Sequence, residues 1–382
     1  MKILMVVERE FPEDERVEKE ALSLIEAGNK VHLLCFAQKN RATTEVYKGI
    51  NLHRIPISNF MLKKASVAAL TLPFYFHFWK KSIVQVLQKE TFEAIHIHDL
   101  PLAKVGYELA QQYKMRFVLD LHENWAGLLS VSEHTKTFAA KLLSSNAQWE
   151  RYEIEYCQKA DKVIVVIEEA KERLVKLGID AAKIHVVSNT ISIPFETSQS
   201  HKEQPFTFIY AGGITYHRGL QYVVEGLALL QNTNWQLNLV GSGRYVENLK
   251  ELAKELNISD KVHFLGHQPY AKMMDLLAEA DCCLIPHVKS SHTDNTIPNK
   301  LFQYMYLKKP IIASNCDPIE RIVNECESGY IYTFDDPEAF AEKAQQMIQS
   351  TDLATFGEKG HQKVVEKYNW ETDEKELIKM YI

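Results

Sequence analysis

Residues 2–36, KILMVVEREFPEDERVEKEALSLIEAGNKVHLLCF, decide the fold. Residues 2–7 form an apolar run, as a strand buried on both faces does. Residues 16–27 follow as a helix, with Val17, Ala21, Leu24 and Ile25 on one face and Gly28 ending it. Residues 31–36 are the next apolar run. A strand, a helix and a second strand at this spacing make a βαβ unit, which predicts a parallel sheet with right-handed crossovers. The apolar start meets acids at once, so it reads as a first strand and not as a signal peptide.

The alternation continues outward from there. Apolar runs at 95–98, 117–121, 162–166 and 183–187 read as strands, with helices between them, including a long one over 139–156. Residues 189–204 are polar and lack a sustained period, which marks a linker. A second alternation has strands at 206–210, 235–240, 261–264, 282–285, 310–313 and 329–332, and helices close the chain over 337–382. Two alternations predict an α/β fold of two doubly wound, Rossmann-like domains, and the length of 382 residues suits two cores. The expected bounds are 1–190, a linker at 191–205, 206–365, and a C-terminal helix at 366–382 packing back on the first domain. Ligands of such sheets bind beyond the carboxyl ends of the strands, here expected in a cleft between the domains.

Composition narrows the class. Hydrophobic residues make up 46% and charged residues 25%, as in a soluble globular protein. The net charge of −6 argues against general nucleic-acid binding. Six cysteines (Cys35, Cys157, Cys282, Cys283, Cys316, Cys326) show neither a CxxC pair nor metal-ligand spacing. Their apolar neighbours predict buried free thiols in a reducing, cytoplasmic compartment. Residues 61–79 place ASVAALTLPFYFHFW between Lys63-Lys64 and Lys80-Lys81. This is too short to span a bilayer, and two readings stand: a segment docked on a membrane interface, or a buried helix with lysines snorkelling at its ends.

Chemistry-bearing residues gather where strands end. Residues 295–314, NTIPNKLFQYMYLKKPIIAS, run a helix into a strand and offer Asn295, Thr296 and Lys300 in the expected first turn, with Gln303 one turn on. A helix start with a lysine suits a phosphate, although an ordinary capped helix accounts for the same residues. Residues 206–213 end a strand in Gly212-Gly213, and Arg218 precedes the next helix; glycines permit close approach of a phosphate and arginine supplies a fixed fork of donors. Gly241-Ser242-Gly243 lacks the third glycine of a dinucleotide fingerprint. His96, His98 and Asp99 end one strand, and Asp120, His122, Glu123 and Asn124 end another. Together they predict a pocket lined by histidines and carboxylates, serving either as a hydrolase metal site or as a neutral histidine that positions a hydroxyl. Histidines capping strand ends are the plainer alternative. Residues 8–15 read as an acidic loop, with a solvated helix entrance as the economical account.

The whole pattern resembles the retaining glycosyltransferases of family 4, which have the GT-B fold. The resemblance runs through DERVEKEALSLIEAGNKVHLL, IHIHDLP, LDLHEN and KIHVVSNTI in the first half. In the second half it runs through FIYAGGITYHRGL, LNLVGSGRYVENLKELA, VHFLGH, ADCCLIP and PNKLFQYMYLKKPIIAS. It implies transfer of a sugar from a nucleotide diphosphate, a UDP-sugar before a GDP-sugar, to a saccharide or lipid-linked acceptor of surface polysaccharide or glycoconjugate synthesis. It implies the donor on the C-terminal domain and the acceptor on the N-terminal one, with no cofactor and no metal. Gly212, Gly213, Arg218 and Lys300 would surround the diphosphate, Gln303 would reach the ribose, and Gly266-His267 would meet the base. Asn295, Thr296, Ile297 and Pro298 would lie by the donor sugar. His122 would face the reactive centre and the acceptor, and His98 would belong to the substrate-binding residues.

Two positions depart from the family pattern. Its two glutamates, separated by seven residues, fall on Asn295 and Gln303, which accept hydrogen bonds more weakly than carboxylates. The arginine common after the first glycine of the second domain is absent, leaving Arg218 as the main cation of that loop. Two rivals share the fold: a nucleotide-sugar 2-epimerase, which needs carboxylates about the sugar, and a non-catalytic nucleotide-sugar-binding subunit. A metal hydrolase using His96, His98, His122 and Asp99 is the third.

Overall fold

The computed structural model describes residues 1–37, 41–57, 70, 74–131, 145–193, 205–230 and 233–382. The chain forms two compact units, Met1–Asn189 with Asp373–Ile382, and Thr190–Thr372.

The first unit runs β1 (Lys2–Glu10), α1 (Glu15–Glu26), β2 (Lys30–Ala37), β3 (Thr44–Tyr47), β4 (Ile50–Pro56), α2 (Phe74–Leu87) and β5 (Ala94–His98). It continues with α3 (Ala103–Tyr113), β6 (Arg116–Leu121), α4 (Trp125–Val131), α5 (Asn146–Lys159), β7 (Lys162–Val165), α6 (Glu168–Lys176) and β8 (Ile184–Val186). Among the described residues the strands order as β3-β4-β2-β1-β5-β6-β7-β8, parallel except for β3 on β4. That edge hairpin is absent from the sequence reading. β3 is mostly exposed and carries no apolar run, and Lys48 (φ 47°) and Gly49 (φ 87°) make the two-residue turn.

One expectation is corrected in this unit, and two others are met only in part by the described residues. β1 continues to Glu10, so residues 8–10 are strand and not loop. Glu8 accepts a hydrogen bond from the Tyr75 hydroxyl, and burial pushes its carboxyl up to about 8. Asp14 caps α1 through the Arg16 amide at 3.2 Å and pairs with the Arg16 guanidinium at 2.9 Å. The described end of residues 61–79 belongs to α2, where Tyr75, Phe76 and Trp79 are buried and Trp79 packs 4.8 Å from the Phe36 ring. Burying each such side chain contributes roughly 1.5–3 kcal/mol. Residues 61–69 and 71–73 lie outside the described residues. No described helix is long and apolar enough to cross a membrane. Of the helix expected over 139–156, residues 139–144 lie outside the described part; α5 starts at Asn146 behind a Ser145–Gln148 capping box.

The second unit runs β9 (Phe206–Ala211), α7 (Leu220–Ala228), β10 (Trp235–Val240), α8 (Val246–Glu255), β11 (Val262–Gly266), α9 (Tyr270–Glu279) and β12 (Cys282–Ile285). Then follow α10 (Lys300–Tyr306), β13 (Ile311–Ser314), α11 (Asp317–Glu325), β14 (Gly329–Tyr332), α12 (Pro337–Gln349) and α13 (Leu353–Glu366), after which α14 (Trp370–Lys379) belongs to the first unit from Asp373 on. The six strands order as β11-β10-β9-β12-β13-β14, all parallel. Phe208, Leu237, Leu239, Leu284 and Ile312 meet Val223 and Leu227 of α7 in its core.

Residues 190–193 belong to this unit, where Ile191 bridges to Asn369; residues 194–204 lie outside the described part. The last ten residues return to the first unit. Ser23 donates to Glu374 at 2.6 Å, and Tyr381 is buried. All six cysteines are free and buried. Asn295 ends a separate 3-10 turn, Thr293–Asn295, so Asn295 and Thr296 precede α10 and do not lie in its first turn.

Candidate functional site

In the second unit the chain steps from β9 to β10 and β11 on one side, and from β12 to β13 and β14 on the other. Strand order therefore reverses between β9 and β12, and the loops leaving their carboxyl ends make the natural ligand seat. The loop after β9 is held from beneath. The Tyr210 hydroxyl donates to the Gly213 carbonyl at 2.9 Å, and the Ala211 amide donates to the Tyr304 hydroxyl at 3.1 Å. Gly212 has φ 142°, and a Cβ there would come within 2.6 Å of Lys300 Nζ. The glycine thus leaves room for the ammonium, which lies 3.8 Å over the Tyr210 ring. Gly219 (φ 67°) closes the 3-10 turn Tyr216–Arg218, and a Cβ there would strike the Pro286 carbonyl at 1.8 Å. That close approach brings Arg218 against His287, whose Nε2 accepts from Arg218 Nη1 at 3.1 Å.

The electrostatics are one-sided. Among the described residues neither Arg218 nor Lys300 pairs with a carboxylate. Burial, then the Arg218 charge, pushes the Lys300 ammonium well below the ordinary lysine range. Burial and the same two cations keep His287 neutral. An anion placed between these side chains relieves both the repulsion and the desolvation. The helix itself adds little, because α10 has only 7 residues and no side-chain cap.

Gly212, Gly213, Arg218 and Lys300 are thus brought together. Gln303 follows Lys300 on α10 and is half-buried, while Thr296, Ile297 and Pro298 form the approach to that helix. The Asn295 side-chain amide donates to the Ser291 carbonyl at 2.8 Å. Gly266 (φ 66°) ends β11 and takes a hydrogen bond from the Gly241 amide at 2.8 Å; His267 beside it is exposed. The sequence reading missed His287, Tyr210 and Tyr304. The available signal was position, since His287 comes two residues after β12 ends.

The histidines lie in the first unit, around the carboxyl ends of β5 and β6. His98 pairs in register with Asp120, and His96 stacks on His98 at 4.3 Å. Asp120 Oδ2 lies 2.9 Å from His98 Nδ1 and 2.7 Å from His122 Nε2. Glu20 of α1 joins them, and the Tyr381 hydroxyl meets His96 Nδ1 at 2.7 Å. His96, His98 and Asp120 are fully buried, because these strands are central and α1 and the C-terminal segment pack against the cluster. Asp99, at φ 69°, acts on the cluster only through its charge, which helps raise His122, and Asn124 caps α4 through the Gly127 amide at 3.0 Å. Burial opposes charge on His122 and Asp120, but their attraction prevails: His122 rises to about 9 and Asp120 falls well below the carboxylate range. Burial and the Asp120 charge push Glu20 up to about 7.

Residues 16–193 match the family described as Glycosyltransferase Family 4, and residues 194–363 match Glycosyl transferases group 1. The chain is a family 4 glycosyltransferase. As such it is a retaining enzyme that uses nucleotide-sugar donors. This transferase is 23% identical over 356 residues to an uncharacterized glycosyltransferase of Methanocaldococcus jannaschii, covering 88% of this chain and 85% of that one. It is 22% identical over 360 residues to N-acetyl-alpha-D-glucosaminyl L-malate synthase of Bacillus anthracis, covering 91% and 87%. Its fold is GT-B, similar to sucrose-phosphate synthase of Thermosynechococcus elongatus at a TM-score of 0.79 and 18% identity, over 100% of this chain and 98% of that one. The Anabaena protein HepE, solved in complex with UDP, superposes at a TM-score of 0.74 with 14% identity, over 100% and 99%.

Proposed function

We propose that the transferase moves a hexosyl group from a UDP-sugar to a saccharide or lipid-linked acceptor, with Arg218 and Lys300 holding the diphosphate. The observation that carries this reading is the pair of cations without a carboxylate partner at the strand-order reversal of the second sheet. UDP is the favoured base because structures of the similar Anabaena protein hold UDP and UDP-glucose. Gln303 contacts the ribose, Gly266 and His267 the base, and Asn295 to Pro298 the donor sugar.

In the reaction the bond from the anomeric carbon to the diphosphate oxygen breaks. A new bond forms to the acceptor oxygen on the same face, and the acceptor proton passes to the departing phosphate. Charge grows on that phosphate as the bond breaks, and the two cations stabilise it without a metal at the leaving group.

The test is a thermal-shift panel of nucleoside diphosphates and their sugars, followed by donor turnover. A bound donor raises apparent stability by mass action. The reading expects UDP and one UDP-sugar to stand out, with slow release of UDP in the absence of acceptor. Conversion of the donor to an epimer would instead establish an isomerase. Binding without transfer or hydrolysis would establish a non-catalytic subunit, a reading favoured by the uncharged Asn295 and Gln303.

A further inference from the structure

His287 is a buried side chain of the second unit to which the transfer reaction gives no task. It is 2% exposed and comes two residues after β12 ends, at the strand-order reversal. Its backbone is fixed from two sides. The Ser314 hydroxyl, at the end of β13, donates to the His287 carbonyl at 2.6 Å. The Val288 amide donates to the His217 carbonyl at 3.0 Å, which ties the loop after β12 to the loop after β9. A Cβ at Gly219 would strike the Pro286 carbonyl, so the two loops touch there as well. A fixed backbone therefore carries the imidazole to Arg218.

The contact has a defined direction. Arginine offers donors and no acceptor, so Nη1 donates and His287 Nε2 presents its lone pair, which leaves the ring proton on Nδ1. Burial, then the charges of Arg218, Lys300 and His292, hold the imidazole in this neutral form. Among the described residues the guanidinium has no further hydrogen-bond partner, so its other N–H donors stay open. A carboxylate in the same place would also hold the fork, but it would cancel the charge and compete with an incoming anion. An uncharged acceptor orients the fork and leaves the whole positive charge for a ligand. An arginine ordered in advance also avoids the entropy cost of ordering it on binding.

We propose that His287 is a positioning residue, whose imidazole Nε2 aims the Arg218 guanidinium at the diphosphate of the donor. The role rests on the reading that Arg218 holds that diphosphate. It adds that the grip depends on an uncharged acceptor behind the arginine.

The test is calorimetric titration of UDP into the wild type, Arg218→Ala, His287→Ala, His287→Gln and His287→Glu, with the fold of each checked by circular dichroism. His287→Ala is expected to weaken UDP binding ~5-fold or more. In His287→Gln the amide oxygen replaces Nε2 as an uncharged acceptor, and affinity is expected within about 2-fold of the wild type. His287→Glu is expected to bind ~10-fold or more below His287→Gln, because its carboxylate pairs with Arg218. A merely structural histidine gives no such order, so equal affinities for the glutamine and glutamate variants overturn the proposal. That comparison stands even where His287→Ala does not fold. Wild-type affinity in folded His287→Ala, beside a loss in Arg218→Ala, overturns the role of His287 alone. Equal UDP affinity in the wild type and Arg218→Ala, or no binding to the wild type, refutes the donor reading and the role with it.

Discussion

Both sheets bring polar side chains to the carboxyl ends of their central strands, yet the two ends are built in opposite ways. In the first unit Asp120 meets His98 and His122 within hydrogen-bond distance, and the group is closed over by α1 and Tyr381. In the second unit Arg218 and Lys300 share the reversal between β9 and β12 with a neutral histidine and, among the described residues, pair with no carboxylate. Opposite charges packed together without water hold a structure in place. Like charges held together by glycines and tyrosines are arranged for something that arrives. The contrast supports the proposal that the second unit binds the donor, while the first holds a packed interior cluster.

The largest effect falls on the second site. Arg218→Ala or Lys300→Ala is expected to lower donor turnover by ~100-fold or more, measured as release of nucleoside diphosphate. Equal rates in either variant would break the assignment. The first site answers differently. Asp120→Asn leaves the His122 charge buried without its partner and is expected to cost about 3 kcal/mol of stability in chemical denaturation, with donor affinity unchanged. A loss of donor affinity at full stability would erase the distinction between the two ends.

Much of this contrast was legible in the chain before the fold was known, and the reasons are specific. The βαβ period of residues 2–36 is a local signal that gives the parallel sheet, and the glycine pair after β9 marks the loop that Lys300 approaches. What escaped depended on long-range packing. His287 acquires its meaning because Gly219 lets the loop after β9 approach Pro286, a contact no local spacing reveals. Glu20 carries no local signal, since its partners come from β5, β6 and the turn beyond. Asn295 was misplaced because the proline at 298 suggested a helix start earlier than Lys300. Residues 8–10 were taken for loop because charge within a strand hides its length.

Two smaller effects sharpen the picture. Gln303→Glu restores a carboxylate at a position expected to meet the ribose. The gain of a charge-assisted hydrogen bond is on the order of 1 kcal/mol, about fivefold in affinity for UDP by calorimetry. No change would place the ribose elsewhere. Glu8 supplies a pH signature in the first unit. Its folded value of about 8 lies above the ordinary 4.5, so the folded chain holds the proton more tightly than the unfolded one. Stability from this group is therefore full below about pH 4.5 and falls as pH rises toward about 8, where it is lost. Glu8→Gln is expected to flatten that part of the stability profile in denaturant titrations, and an unaltered slope would contradict the burial argument.

The most direct test of the central claim is calorimetric titration of UDP into the wild-type chain and the Lys300→Ala variant, with the fold of each checked by circular dichroism. The account predicts binding to the wild type and a loss of ~10-fold or more in the folded variant, because a charged diphosphate contact is removed. Equal affinity for UDP in the two proteins would contradict it.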